Sequence, residues 1–184
     1  PNSRINAVVA PLSSMVIDDP AVTSKIVNQK KSMETFGTYI TEGVNYVNPY
    51  DDLFARRNEY LYFRSDHHWT ALGAYYAYAK FARSVGFEPT PIENMEPIAI
   101  AQKYHGSMYT YTKDERVKEF TDVVTGYTPT KEHTMTIHRS NGDVNTYNSC
   151  ILNKYIKGYG AFIGGDNPYG NIYTMNYAEL VSHT

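Results

Sequence analysis

The sequence predicts an α/β domain: a parallel sheet flanked by helices, with a β-rich insertion. Three observations carry that prediction. Short apolar runs alternate with helical segments through residues 5–86. The run YLYF at 60–63, a polar loop and a seventeen-residue helical stretch follow one another directly. After Pro89, the pattern turns to strands and turns. Alternation of this kind places helices on the faces of a mostly parallel sheet.

The elements follow in order. Ile5 to Leu12 (INAVVAPL) is a continuous apolar run closed by Pro11, read as a buried parallel strand. Asp19-Pro20 reads as an N-cap followed by proline at the first helical position, opening a helix to about Met33 with Val22, Ile26 and Val27 on one face. Gly43 to Asn48 is a second strand, ended by Pro49, and Asp51 or Asp52 caps a short helix through Leu53, Phe54 and Arg57. Tyr60 to Phe63 is a third strand. Thr70 then caps TALGAYYAYAKFARSVG, a helix apolar on most sides and therefore buried, with Gly86 at the left-handed C-terminal position. Residues 114–150 read as strands and turns, and MTIHRSNGDVNTYN alternates about Asn141-Gly142, the signal of a type I′ hairpin. Residues 159–176 hold a glycine-rich loop between aromatic segments.

Composition narrows the function. The 184 residues carry 17 Lys+Arg against 19 Asp+Glu, a net charge of −2, and no basic block, so nucleic acid is not an expected partner. No apolar run approaches the ~18 residues of a membrane span. No leader peptide is visible, and the chain opens at Pro1 rather than Met, as a processed form or a fragment would. The single Cys150 excludes an internal disulfide and any multi-cysteine zinc site; it reads as a small packed side chain. Eighteen Tyr suit sugar-binding faces, and equally suit strands and half-buried helices.

The chemistry concentrates in Asp66, His67, His68 and Trp69, in the loop before the long helix. In α/β sheets ligands bind where loops leave the carboxyl ends of strands. An imidazole serves as a general base near neutral pH, and a carboxylate beside it orients the ring and stabilises its charged form. Asp66 and His68, two apart, can point to one side, whereas His67 and His68 are expected to diverge. The same residues also suit a cap and a packed or surface histidine.

SDHHWTALGAYYAYAKFA resembles the signature of the bacterial DHHW proteins, which are similar to AlgX/AlgJ-type polysaccharide O-acetyltransferases and to the wider SGNH hydrolase superfamily. GVNYVNPYDDLFARRNEYLYF and AFIGGDNPYG share the resemblance, which is strongest over residues 43–87. His68 and Gly73 keep the SGNH spacing of histidine and glycine, and Asp66, His68 and Trp69 match the Asp-x-His-Trp form of the acetyltransferase branch. The resemblance implies a flavodoxin-like, SGNH hydrolase-type fold over residues 1–184, a single and incomplete domain with a β-rich insertion at about 105–155. It implies a Ser-His-Asp site with His68 as base and Asp66 as its orienting carboxylate. Trp69 would line the substrate groove or pack beside the site, and His67 would bind substrate or hold structure rather than react.

The implied nucleophile does not follow. Gly165-Asp166-Asn167 has Asn where the family's Gly-Asp-Ser has serine, so the serine is expected beyond Thr184; Ser107 in HGSMY, then Ser13 or Ser14, are substitutes. Asn167 could instead donate to an oxyanion or a sugar hydroxyl, though GGDNP is also ordinary turn chemistry. The implied activity is O-acetylation or deacetylation of a cell-surface polysaccharide by an extracytoplasmic protein, with a membrane-bound acyl-transfer partner in reach and neither metal nor organic cofactor required. Two other readings stand beside it. A non-catalytic sugar-binding or scaffolding module would use the tyrosines and Trp69 for stacking. A DHH-type phosphoesterase would need more acidic ligands than the adjacent pairs Asp18-Asp19 and Asp51-Asp52 supply.

Overall fold

The computed structural model describes residues 4–148 and 172–177. Cys150 and the Gly164–Asn167 segment, including Asn167, lie outside them. The chain divides into two compact units: residues 1–89 with 106–120, and residues 90–105 with 121–184.

In the first unit, β1 (Ile5–Val8) pairs in parallel with β2 (Val44–Val47), Ile5 opposite Val44 and Val8 opposite Val47. Among the described residues this is the whole of the parallel pairing, so the many-stranded parallel sheet expected from the resemblance is not observed. The expected burial of the first strand is corrected as well: Ile5 is 60% and Val8 44% exposed. Helix α4 (Ala71–Ser84) packs against β2, where Val47 is buried.

The single helix expected from Asp19 to Met33 is two, α1 (Pro20–Thr23) and α2 (Gln29–Thr38). Asp19 does cap the first, its Oδ1 accepting from Ala21 N at 2.8 Å. Asn28 starts the second by accepting from Lys31 N at 3.0 Å, and that competing cap ends the continuous reading. Tyr50–Phe54 forms α3, with Asp51 and Asp52 in its first turn rather than at its cap.

Helix α4 follows its expected boundaries. Thr70 Oγ1 accepts from Gly73 N at 3.3 Å, and Gly86 adopts φ +89° beyond the C-terminus. Phe87 N donates to Ala82 O and Gly86 N to Arg83 O, the paired bonds of a Schellman closure. Its buried positions, Gly73, Ala77, Ala79 and Ala82, are small, which lets the helix sit close to its neighbours. Leu72 and Tyr76 pack against a core cluster of Met15, Leu53, Leu61 and Tyr62.

The second unit contains β3 (Met95–Tyr104) antiparallel to β4 (Asp122–Pro129), and β5 (His133–His138) flanked by β6 (Val144–Tyr147) and β7 (Ile172–Tyr177). The expected hairpin forms, with His138 opposite Val144. Its turn is not type I′, however, because only Gly142 has positive φ. Gly142 N donates to Arg139 O and Arg139 N to Asp143 O, a three-residue loop with glycine in the left-handed bulge position. Asn141 Oδ1 takes Asp143 N at 3.1 Å, a side-chain turn that removes the need for a left-handed asparagine. Residues 106–120 return to the first unit as two short helices, α5 (Ser107–Thr112) and α6 (Glu115–Lys118), the latter capped by Asp114. No helix among the described residues is long and apolar enough to cross a membrane.

Candidate active site

Among the described residues, the third expected strand, Tyr60–Phe63, joins no sheet. It is one stem of a closed loop. Tyr62 and Trp69 form an antiparallel bridge, Thr70 N donates to Leu61 O at 2.8 Å, and Phe63 N donates to His68 O at 3.3 Å. Leu61, Tyr62 and Phe63 are buried and anchor the stem. Tyr62 also donates its hydroxyl to Pro11 O at 2.8 Å, and burial pushes that phenol well above its ordinary range, keeping it a donor. Residues 64–67 are thereby gathered at the loop's head, directly before α4.

Extended backbone sends successive side chains to opposite sides. Trp69 turns onto the core cluster of Met15, Leu53, Leu61 and Tyr62, while His68 stays on the loop side. There, Asp66 is 2% exposed. Its Oδ1 accepts from His68 N at 2.9 Å and lies 2.6 Å from His68 Nδ1. Its Oδ2 accepts from Ser107 N at 2.8 Å. The His68 side chain is 36% exposed and so reaches solvent from a buried anchor. With Nδ1 protonated toward Asp66, the lone pair resides on Nε2, the tautomer a general base requires.

The expectation that His67 and His68 diverge is corrected. Their ring centroids are 3.9 Å apart at an interplanar angle of 36°. The tight loop around Asp66 brings them together, and Ser107 Oγ holds His67 Nδ1 at 2.5 Å. His67 Nδ1 lies 3.7 Å from Asp66 Oδ1, and its side chain is 57% exposed. Ser107 Oγ is thus placed against His67. Ser14 is held by Gln29 Nε2 at 2.8 Å. A cavity of about 220 Å³ beside it, lined by Asp18, Gln29, Tyr50 and Phe54 among others, does not include the Asp66–His68 pair.

Among the described residues, Asp66, His67 and His68 are a group able to hold a metal ion, with one ligand atom from each within 4.8 Å of the others. Hydrogen bonds already engage the carboxylate and both Nδ1 atoms, so an ion would have to displace some of them or use other ring atoms. The further carboxylates of a two-metal site are committed elsewhere: Asp51 to Lys30 at 2.8 Å, Asp52 to Lys80, and Asp19 to its helix cap.

Sequence reasoning missed the groups that hold Asp66. Ser65 is fully buried; its Oγ accepts from Gly106 N at 3.0 Å and its carbonyl from Met108 N at 3.0 Å. The signal in the sequence was general: a buried carboxylate needs donors for both oxygens, and HGSMY supplies a backbone amide from forty-one positions downstream.

The DHHW protein family matches residues 4–182. The chain is similar to the crystal structure of a DHHW family protein from Eubacterium siraeum, at 26% identity and a TM-score of 0.79, over 98% of this chain and 60% of that one. It is also similar to Bacillus cereus PatB1 with a sulfonyl adduct (TM-score 0.54, 13% identity, 78% of this chain and 49% of that one). A second PatB1 structure aligns at a TM-score of 0.52 and 15% identity, over 78% of this chain and 52% of that one. The PatB1 likeness is one of fold. The chain spans about 60% of the DHHW structure's length and about half of PatB1's. No curated protein matches it significantly.

Proposed function

The chain belongs to the DHHW protein family, and from that premise we propose that it carries the base-and-carboxylate half of a Ser-His-Asp acyl-transfer site of SGNH type. The observation that carries the reading is the 2.6 Å contact between Asp66 Oδ1 and His68 Nδ1, from a buried carboxylate to a part-exposed imidazole. A serine from outside these 184 residues attacks the carbonyl carbon of an acetyl ester as its proton passes to His68 Nε2. Asp66 stabilises the imidazolium. The imidazolium then protonates the departing alkoxide, leaving an acetyl-serine. A sugar hydroxyl or water, deprotonated by the same nitrogen, takes the acetyl group, and His68 Nε2 passes that proton to the departing serine oxygen, which restores the free serine.

The substrate proposed is a cell-surface polysaccharide, the location extracytoplasmic, and the acyl donor or its membrane-bound carrier a partner. Asn167 is proposed on the substrate side, whereas Trp69, packed onto the core cluster, holds the loop rather than lining a groove. The sulfonyl adduct of PatB1 supports the class of chemistry, because sulfonyl electrophiles are captured by activated nucleophiles. The test is turnover of 4-nitrophenyl acetate by the full-length protein before and after dialysis against EDTA. Hydrolysis unchanged by the chelator is expected. No hydrolysis at all would favour a sugar-binding module, and chelator-sensitive hydrolysis a metal site on Asp66, His67 and His68.

A further inference from the structure

Asp66 can orient His68 only while its own carboxylate is kept from rotating. His68 holds one oxygen; the other is held by the amide of Ser107, at 2.8 Å, from a segment distant in sequence. With donors on both oxygens, turning the carboxylate breaks bonds at each end.

Gly106 fits this purpose in a specific way. Its φ of −90° and ψ of −157° are extended backbone open to any residue, so conformation does not require glycine. Space does: a Cβ there would collide with Asp66 Cβ, Cγ and Oδ2. The bonds from Gly106 N and Met108 N to Ser65 fasten this backbone on either side of Ser107.

We infer that Gly106 and the backbone amide of Ser107 are positioning residues for the Asp66–His68 pair, and that the Ser107 hydroxyl is not needed for this. The catalytic consequence rests on the function proposed above; the positioning itself does not.

Ser107 is the first residue of α5, where proline's fixed φ is accommodated and the helix does not need the N–H. Ser107→Pro thus replaces the donated hydrogen with a ring carbon that crowds Asp66 Oδ2 and removes the hydroxyl, while Ser107→Ala removes the hydroxyl alone. In the full-length protein, the low-field proton resonance of His68 Nδ1–H reports the pair directly, and 4-nitrophenyl acetate turnover reports catalysis. Ser107→Pro is expected to lose that resonance and about 100-fold in kcat, with KM within about twofold. Ser107→Ala is expected to keep the resonance and to stay within about fivefold in kcat. Circular dichroism of both variants is the check that they are folded. A Pro variant that keeps the resonance, or an Ala variant that loses it equally, overturns the inference. The expected resonances without turnover in any form, wild type included, would uphold the positioning and refute the proposed acyl transfer.

Discussion

Replacing His68 with alanine is expected to reduce acetyl-ester turnover by on the order of 10⁴-fold or more, because the nucleophile loses its base and the developing positive charge loses its site beside Asp66. His67→Ala is expected to stay within about tenfold, since that ring pairs with Ser107 and meets the base in a tilted ring contact. The contrast matters more than either value. The two imidazoles are adjacent in sequence and in close, tilted contact in space, so a nonspecific disturbance would strike both alike. Equal, severe losses would point to a metal held by Asp66, His67 and His68. The measurement is kcat/KM for both variants, with folding checked by circular dichroism.

Gly73→Ala is the second large effect, and its sign is informative. In an ordinary helix interior, alanine is more favourable than glycine by about 1 kcal/mol. Here a Cβ would strike the Leu61 carbonyl oxygen and lie 3.1 Å from Trp69 Cβ. That carbonyl accepts from Thr70 N, the bond that closes the stem below Asp66 and His68. Backbone cannot swing aside as a flexible side chain can, so the first turn of α4 must retreat from the stem. The expected cost is about 3 kcal/mol, a fall in Tm of roughly 6–12 °C for a chain of this size. Gly86→Ala is the control. It has open space around it but φ +89°, so it should lose only about 1 kcal/mol to backbone strain. Thermal unfolding of the two variants separates crowding from conformation. A Gly73→Ala variant more stable than the wild type would show that α4 does not seat against the stem.

Gly73 also shows what was legible in the sequence and why. Features decided within a few residues were readable: the Thr70 cap, the Gly86 closure, the Asp19-Pro20 start and the presence of a hairpin about Asn141-Gly142, though its three-residue loop shifts the register by one from that of a type I′ turn. The spacing of His68 and Gly73 was readable as a pattern, but its physical reason, the close approach to Leu61, needed the fold. Features decided by competition between neighbours were not readable. Asn28 capped a new helix where the first was expected to continue, Asn141 made a side-chain turn, and, among the described residues, YLYF paired with its own return segment rather than with a sheet. The close approach of His67 to His68 follows from the tightness of that return. Gly106 and Ser107 were invisible as partners of Asp66, because nothing local links HGSMY to a carboxylate forty-one positions earlier.

The most direct measurement is the reaction of the full-length protein with phenylmethylsulfonyl fluoride, followed by mass-spectrometric mapping of the modified residue. A serine whose hydroxyl gives its proton to His68 should form one sulfonyl adduct, and that adduct should fade in His68→Ala and Asp66→Asn. Labelling that proceeds equally fast without the imidazole, or that lands on no serine, would contradict the claim that this pair activates an alcohol.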